Sequence, residues 1–153
     1  MIKLETHCHT FGGSSCATTP IELQADIYKK AGYGAVVVTN HYNFPSINDY
    51  NGETLKEKLR GFFFLAKTAK EEFAARGIKT FIGAEVQTKT ERTDGYQEFM
   101  LYGFDERFLF DAPTLYELNQ KELFKLAEEN GLFMYQTHPF RPHVITGDPA
   151  YMH

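Results

Sequence analysis

His7 and His9 flank a single residue, and in an extended chain residues two apart project to the same side, so both imidazoles can close on one cation while Cys8 faces away. Imidazole pairs of this kind hold zinc, manganese or iron, cations that polarise a bound substrate and activate water for hydrolysis. Glu85 adds a harder oxygen donor that can bridge two ions and offset their charge, and His41 and His138 supply further nitrogens. Taken singly, each has an ordinary reading. A lone histidine after a strand is most often a loop residue, and an isolated Glu85 would be a solvated acid. Their placement relative to the secondary structure is what joins them.

The 153 residues suffice for one core and are too few for two ordinary domains. Residues 2–5 form a first short strand. Thr19, with Pro20 in the first turn and Glu22 three residues after the cap, opens a helix that ends near Gly32. The β-branched run over 35–39 is a second strand, of the kind buried on both faces. Leu55, Leu59, Phe62, Phe63, Ala66, Ala69 and Phe73 keep a helical period over 53–76, and Gly77 is placed to end that helix. Strands follow over 80–83 and 99–102, separated by a polar stretch over 89–95 that reads as a hairpin-like loop. Thr114 and Glu117 form a second capping signature before an amphipathic helix to Asn130-Gly131, and a fifth strand spans 132–136. This alternation predicts an α/β fold with a mainly parallel sheet, open or closed into a barrel, and ligands at the carboxyl ends of its strands. His7 and His9, His41, Glu85 and His138 each follow one of these strands, so all five are expected on one rim.

Composition bounds the partners. A net charge of -4 provides no broad positive field, which excludes an extensive nucleic-acid surface. No apolar run is long enough for a membrane helix and the first residues lack the apolar segment of a signal peptide, so a cytoplasmic location is expected. Cys8 and Cys16 are accordingly read as free thiols.

In order and spacing, His7-Cys8-His9-Thr10, Thr39-Asn40-His41, Gly83-Ala84-Glu85 and His138-Pro139-Phe140-Arg141 resemble the successive motifs of the polymerase and histidinol phosphatase (PHP) family of metal-dependent phosphoesterases. The resemblance spans nearly the whole chain. It implies a distorted (β/α)7 TIM-like barrel binding up to three divalent ions (Zn, Mn or Fe) and hydrolysing a phosphorylated small molecule or nucleotide. By the same resemblance His7, His9, His41, Glu85 and His138 are metal ligands, and Asp105 stands where family members often place another histidine. Asp105 is equally well read as a turn residue. Some members carry an Asp or His in the loop after the first motif; here that loop offers Ser15 and Cys16, and neither is assigned. Arg141, three residues after His138, is within reach of a phosphoryl oxygen, its alternative being a salt bridge on the rim. A rim histidine such as His138 would protonate the leaving group. His143 and His153 have no motif and are read as loop residues.

The family's last motif, an Asp-x-His pair, does not occur. The chain is therefore expected to hold one PHP domain over 1–153 with about five of seven strands, as an amino-terminal piece of a longer protein or a naturally short relative. For a naturally short chain, the open barrel edge leads to the expectation of a homo-oligomer that covers it. Two other functions fit the same ligands: an amidohydrolase-type metal hydrolase, which also begins with His-x-His, and a degenerate binding or regulatory module without catalysis. A domain of a replicative polymerase would need a much longer chain.

Overall fold

The computed structural model describes residues 2–89 and 96–139. Among these, six strands form one sheet: β1 (Lys3–Cys8), β2 (Tyr33–Val38), β3 (His41–Tyr42), β4 (Lys79–Lys89), β5 (Tyr96–Tyr102) and β6 (Phe133–Gln136). The order is β1-β2-β4-β5-β6, with β3 beside the far half of β4. The sheet is parallel from β1 to β4, and β3 is parallel to β4, but β4–β5 and β5–β6 are antiparallel. This corrects the expectation of a mainly parallel sheet. The 80–83 and 99–102 strands extend toward each other until Lys89 pairs with Tyr96, the antiparallel pairing that a hairpin-like connection between them implies.

One face of the sheet is covered by helices α1 (Ile21–Lys30), α2 (Phe44–Asp49), α3 (Leu55–Ala75), α4 (Glu106–Asp111) and α5 (Gln120–Glu129). Helix α3 spans both core clusters. Its Leu59, Phe62 and Phe63 pack with Tyr42, Val86 and Phe99, while Ala66, Ala69 and Phe73 pack with Val36, Val38 and Ala25. Each large side chain buried along this stripe contributes about 1.5–3 kcal/mol. Thr54 and Glu57 close a capping box at the start of α3, and Gly77, at φ +72, turns the chain out of it.

Two expected helix starts differ. Pro20 caps α1 without a side-chain bond, so Thr19 and Glu22 form no box. Thr114 precedes only a 3-10 turn (Leu115–Glu117), whereas Asn119 and Glu122 cap α5. The reason is that Thr114-x-x-Glu117 and Asn119-x-x-Glu122 are successive capping patterns, and only the second lets Leu123 and Ala127 reach the core.

The sheet curls into a half-barrel. Neighbouring strands lie about 4.8 Å apart, so a flat sheet would hold β1 and β5 roughly three spacings apart; yet Tyr102 Oη on β5 donates to Thr6 O on β1 at 2.7 Å. The concave face holds a cavity of about 580 Å3 lined by Thr6, Val37, Phe81, Tyr102, Phe133 and Tyr135. No described helix is long and apolar enough to cross a membrane.

Candidate metal centre

Side-chain alternation along each strand decides what the concave face presents. On β4, Ala84 and Val86 enter the core, which turns Glu85 inward. On β5, Phe99 and Leu101 do the same, turning Glu98 inward. Strand β1 carries a register irregularity between Glu5 and Cys8, where three steps match only two on β2. Thr6 lines the concave cavity, so strict alternation would send Cys8 there too; the extra residue instead sends Cys8 into the cluster under α1 and α3 and aims His7 and His9 at Glu85. His41 reaches the same point because β3 pairs it directly with Glu85.

Four imidazoles meet one buried carboxylate. Glu85 is 1% exposed. His7 Nε2 lies 3.4 Å from Oε1, His138 Nε2 3.2 Å from Oε1, His9 Nε2 3.1 Å from Oε2 and His41 Nδ1 3.0 Å from Oε2. Burial by itself pushes the Glu85 carboxyl up, but hydrogen bonds from His41, His7 and His9 and the charge of His7 outweigh it and hold the group well below the usual carboxylate range. Among the described residues, Oε1 is nonetheless buried without a well-directed hydrogen bond. An acceptor left this way, ringed by nitrogen donors, suits a cation.

The spacing fits one as well. With metal–nitrogen and metal–oxygen bonds of about 2.0–2.1 Å, two ligand atoms stand about 2.9 Å apart at a right angle and about 3.3 Å apart at the tetrahedral angle. The distances from His7, His9 and His138 to Glu85 span 3.1–3.4 Å and the His7–His9 Nε2 pair is at 2.8 Å. Three overlapping sets among the described residues keep their ligand atoms within 4.8 Å of one another: His7, His9 and Glu85; His41, Glu85 and Glu98; and His9, Cys16 and His41.

A second layer fixes the first. Ser14 Oγ accepts from His41 N at 3.0 Å, lies 2.9 Å from His9 Nδ1 and donates to Asn40 Oδ1 at 3.4 Å. A neutral His9 with its proton on Nδ1 satisfies all of these at once and leaves Nε2 free to ligate. Asn40, fully buried, also accepts from Thr10 N at 2.8 Å and thereby ties the loop to β1. Gln24 on α1 donates to His9 O at 2.8 Å. On the far side, Thr137 N and Oγ1 both donate to Glu98 O, at 2.9 and 2.7 Å, and His138 takes φ +28 beyond this anchor. Positive φ at a non-glycine residue is strained and is found most often where a side chain must be aimed.

No protein-family model matches the chain, and no curated protein does. Several solved structures resemble it, among them the following two. A protein from Bifidobacterium adolescentis, named as a candidate metal-dependent phosphoesterase, shares 18% identity at a TM-score of 0.43 over 85% of this chain. A two-domain protein from Bacteroides vulgatus containing a predicted PHP-like metal-dependent phosphoesterase shares 22% identity at a TM-score of 0.49 over 87% of this chain. The chain spans about a third of the length of each, 34% in both cases.

Of the residues matched to PHP motifs in the sequence, the structure brings His7, His9, His41, Glu85 and His138 together. It does not bring Asp105. That side chain caps α4, accepting from Phe108 N at 2.9 Å, and is exposed. The second carboxylate is Glu98, whose Oε2 lies 3.3 Å from His138 Nε2. Ligands are expected from the sequence at the carboxyl ends of parallel strands. Strand β5 runs the other way, so its rim residue comes near its start, and Asp105 past its end falls on the opposite side. Ser14 and Asn40 were not singled out either, since their roles rest on contacts 26 to 30 residues apart. Arg141, and with it His143 and His153, lies outside the described residues.

Proposed function

We propose that this chain is the catalytic part of a metal-dependent phosphoesterase. The observation that carries the reading is the convergence of four imidazoles from β1, β3 and the end of β6 on one buried carboxylate. Structural carboxylates seldom need four histidines, whereas two or three divalent cations of the Zn, Mn or Fe type do. When bound, such cations supply Lewis acidity and an activated water for attack on phosphorus. Glu85 and Glu98 offset their charge. His7, His9 and His41 hold them at the rim, and His138, which lies near both carboxylates, passes a proton to the leaving oxygen. Arg141 steadies a phosphoryl oxygen from three residues beyond His138. The substrate is a phosphorylated small molecule or nucleotide.

The test is hydrolysis of a phosphomonoester and phosphodiester panel by protein reconstituted with Mn2+ or Zn2+. Activity that His9→Ala abolishes is the expected result; equal turnover by both proteins removes the proposal. A degenerate binding module is the second reading, and it predicts metal uptake without turnover on any substrate of the panel.

A further inference from the structure

The loop between β1 and α1 turns back on itself, with Gly13 and Ser14 both donating to Thr10 O and Ala17 N donating to Ser14 O. This fold brings Cys16 over the rim. Its Sγ lies 3.6 Å from His41 Nε2, and Cys16, His9 and His41 offer ligand atoms within 4.8 Å of one another. The rings of His9 and His41 are 4.4 Å apart between centroids. Cys8 is separated from this cluster by the backbone of β1 and is buried among Ile21, Ala25, Val36 and Phe73.

We propose that Cys16 is a thiolate ligand of this centre, binding the cation that His41 holds through Nε2, and that its sulfur gives that position a preference for thiophilic ions such as zinc, cobalt or cadmium over manganese or magnesium. The proposal rests on the metal-centre reading above. With metal–sulfur and metal–nitrogen bonds of about 2.3 and 2.05 Å, a tetrahedral ion holds its sulfur and nitrogen ligands about 3.6 Å apart. The Cys16–His41 separation equals that edge. The ring of His41 is also turned the right way. Its Nδ1 faces Glu85 Oε2 at 3.0 Å, which leaves Nε2, on the Cys16 side of the ring, to ligate. Sulfur is a soft donor in a cluster otherwise made of nitrogen and oxygen, so it separates the two cation positions in affinity.

Metal-free protein titrated with Co2+ tests this without reference to turnover. Wild type and Cys8→Ser are expected to develop an intense sulfur-to-cobalt absorption in the near ultraviolet. Cys16→Ser should lose it while still binding Co2+ at the Glu85 site. In parallel, Cys16→Ser should weaken Cd2+ binding by about tenfold or more, no less than the loss of an outer partner costs, with Mn2+ binding little changed. Co2+ bound to wild type without that band, or a band that survives Cys16→Ser, overturns the thiolate ligand and leaves the metal centre standing. Failure of wild type to bind Co2+ at all removes both proposals.

Discussion

Ser14 Oγ lies 2.9 Å from His9 Nδ1, on the side of the ring away from Glu85. The hydroxyl also takes the His41 backbone N–H, so one small residue sets both the tautomer of one ligand and the position of another. Ser14→Ala should therefore weaken Zn2+ or Mn2+ binding by about 10- to 100-fold, the usual cost of losing an outer partner. The buried His41 N–H left behind should cost about 1–3 kcal/mol of stability. Titration calorimetry and chemical denaturation read the two effects separately, and unchanged metal affinity would show that Ser14 does not govern His9.

Glu98 and Asp105 make opposite predictions although they belong to one hairpin arm and the helix after it. Glu98→Ala removes an oxygen donor beside His138 and should lower metal affinity about tenfold or more. Asp105→Ala removes only the cap of α4 and should cost about 0.5–2 kcal/mol while leaving affinity unchanged. The pattern reversed, with metal lost on Asp105→Ala, would mean the rim has been assigned to the wrong carboxylate.

Gly13 is required by closeness of approach. A Cβ there would overlap the side-chain amide of Asn40, which is buried and bound to Thr10. Gly13→Ala should push Asn40 out and, through Ser14, misplace both His9 and His41. Overpacking of this kind costs about 1–3 kcal/mol. The expected signature is a loss of metal affinity larger than that of any substitution on the helix-covered face with the same effect on melting temperature.

The two thiols should differ in reactivity. Burial, and to a lesser degree the charge of Glu5, push the Cys8 thiol up to about 11 against a weaker opposing hydrogen bond from Tyr28. At pH 8 only about one Cys8 in a thousand is then thiolate, and the group is shielded besides. Cys16 is exposed. Iodoacetamide applied to native metal-free protein at pH 8 should label Cys16 alone, with Cys8 reacting only in denaturant. Mass spectrometry showing both labelled at similar rates would contradict the packing of β1 against α1 and α3.

Local pattern determined a good deal of this molecule. The α3 stripe, the β-branched run of β2 and the histidines and acid at the ends of four predicted strands were legible because periodicity and turn chemistry act over a few residues. His7, His9, His41, Glu85 and His138 could be nominated on that basis, and Gly77 could be read as a helix stop from its position alone.

Only the folded chain decided the rest. The hairpin-like connection between β4 and β5 was legible, but how far the two strands pair along it was not, and that register brings Glu98 rather than Asp105 to the rim. The irregularity in β1 has no mark in the sequence, yet it determines that Cys8 goes to the core and the histidines to the centre. Cys16 stands over His41 through a loop tied down by Asn40, a contact thirty residues distant for Thr10. Side-chain direction in a strand reverses with a shift of one residue, so features of this kind follow from register and long-range packing and cannot be read from composition or spacing.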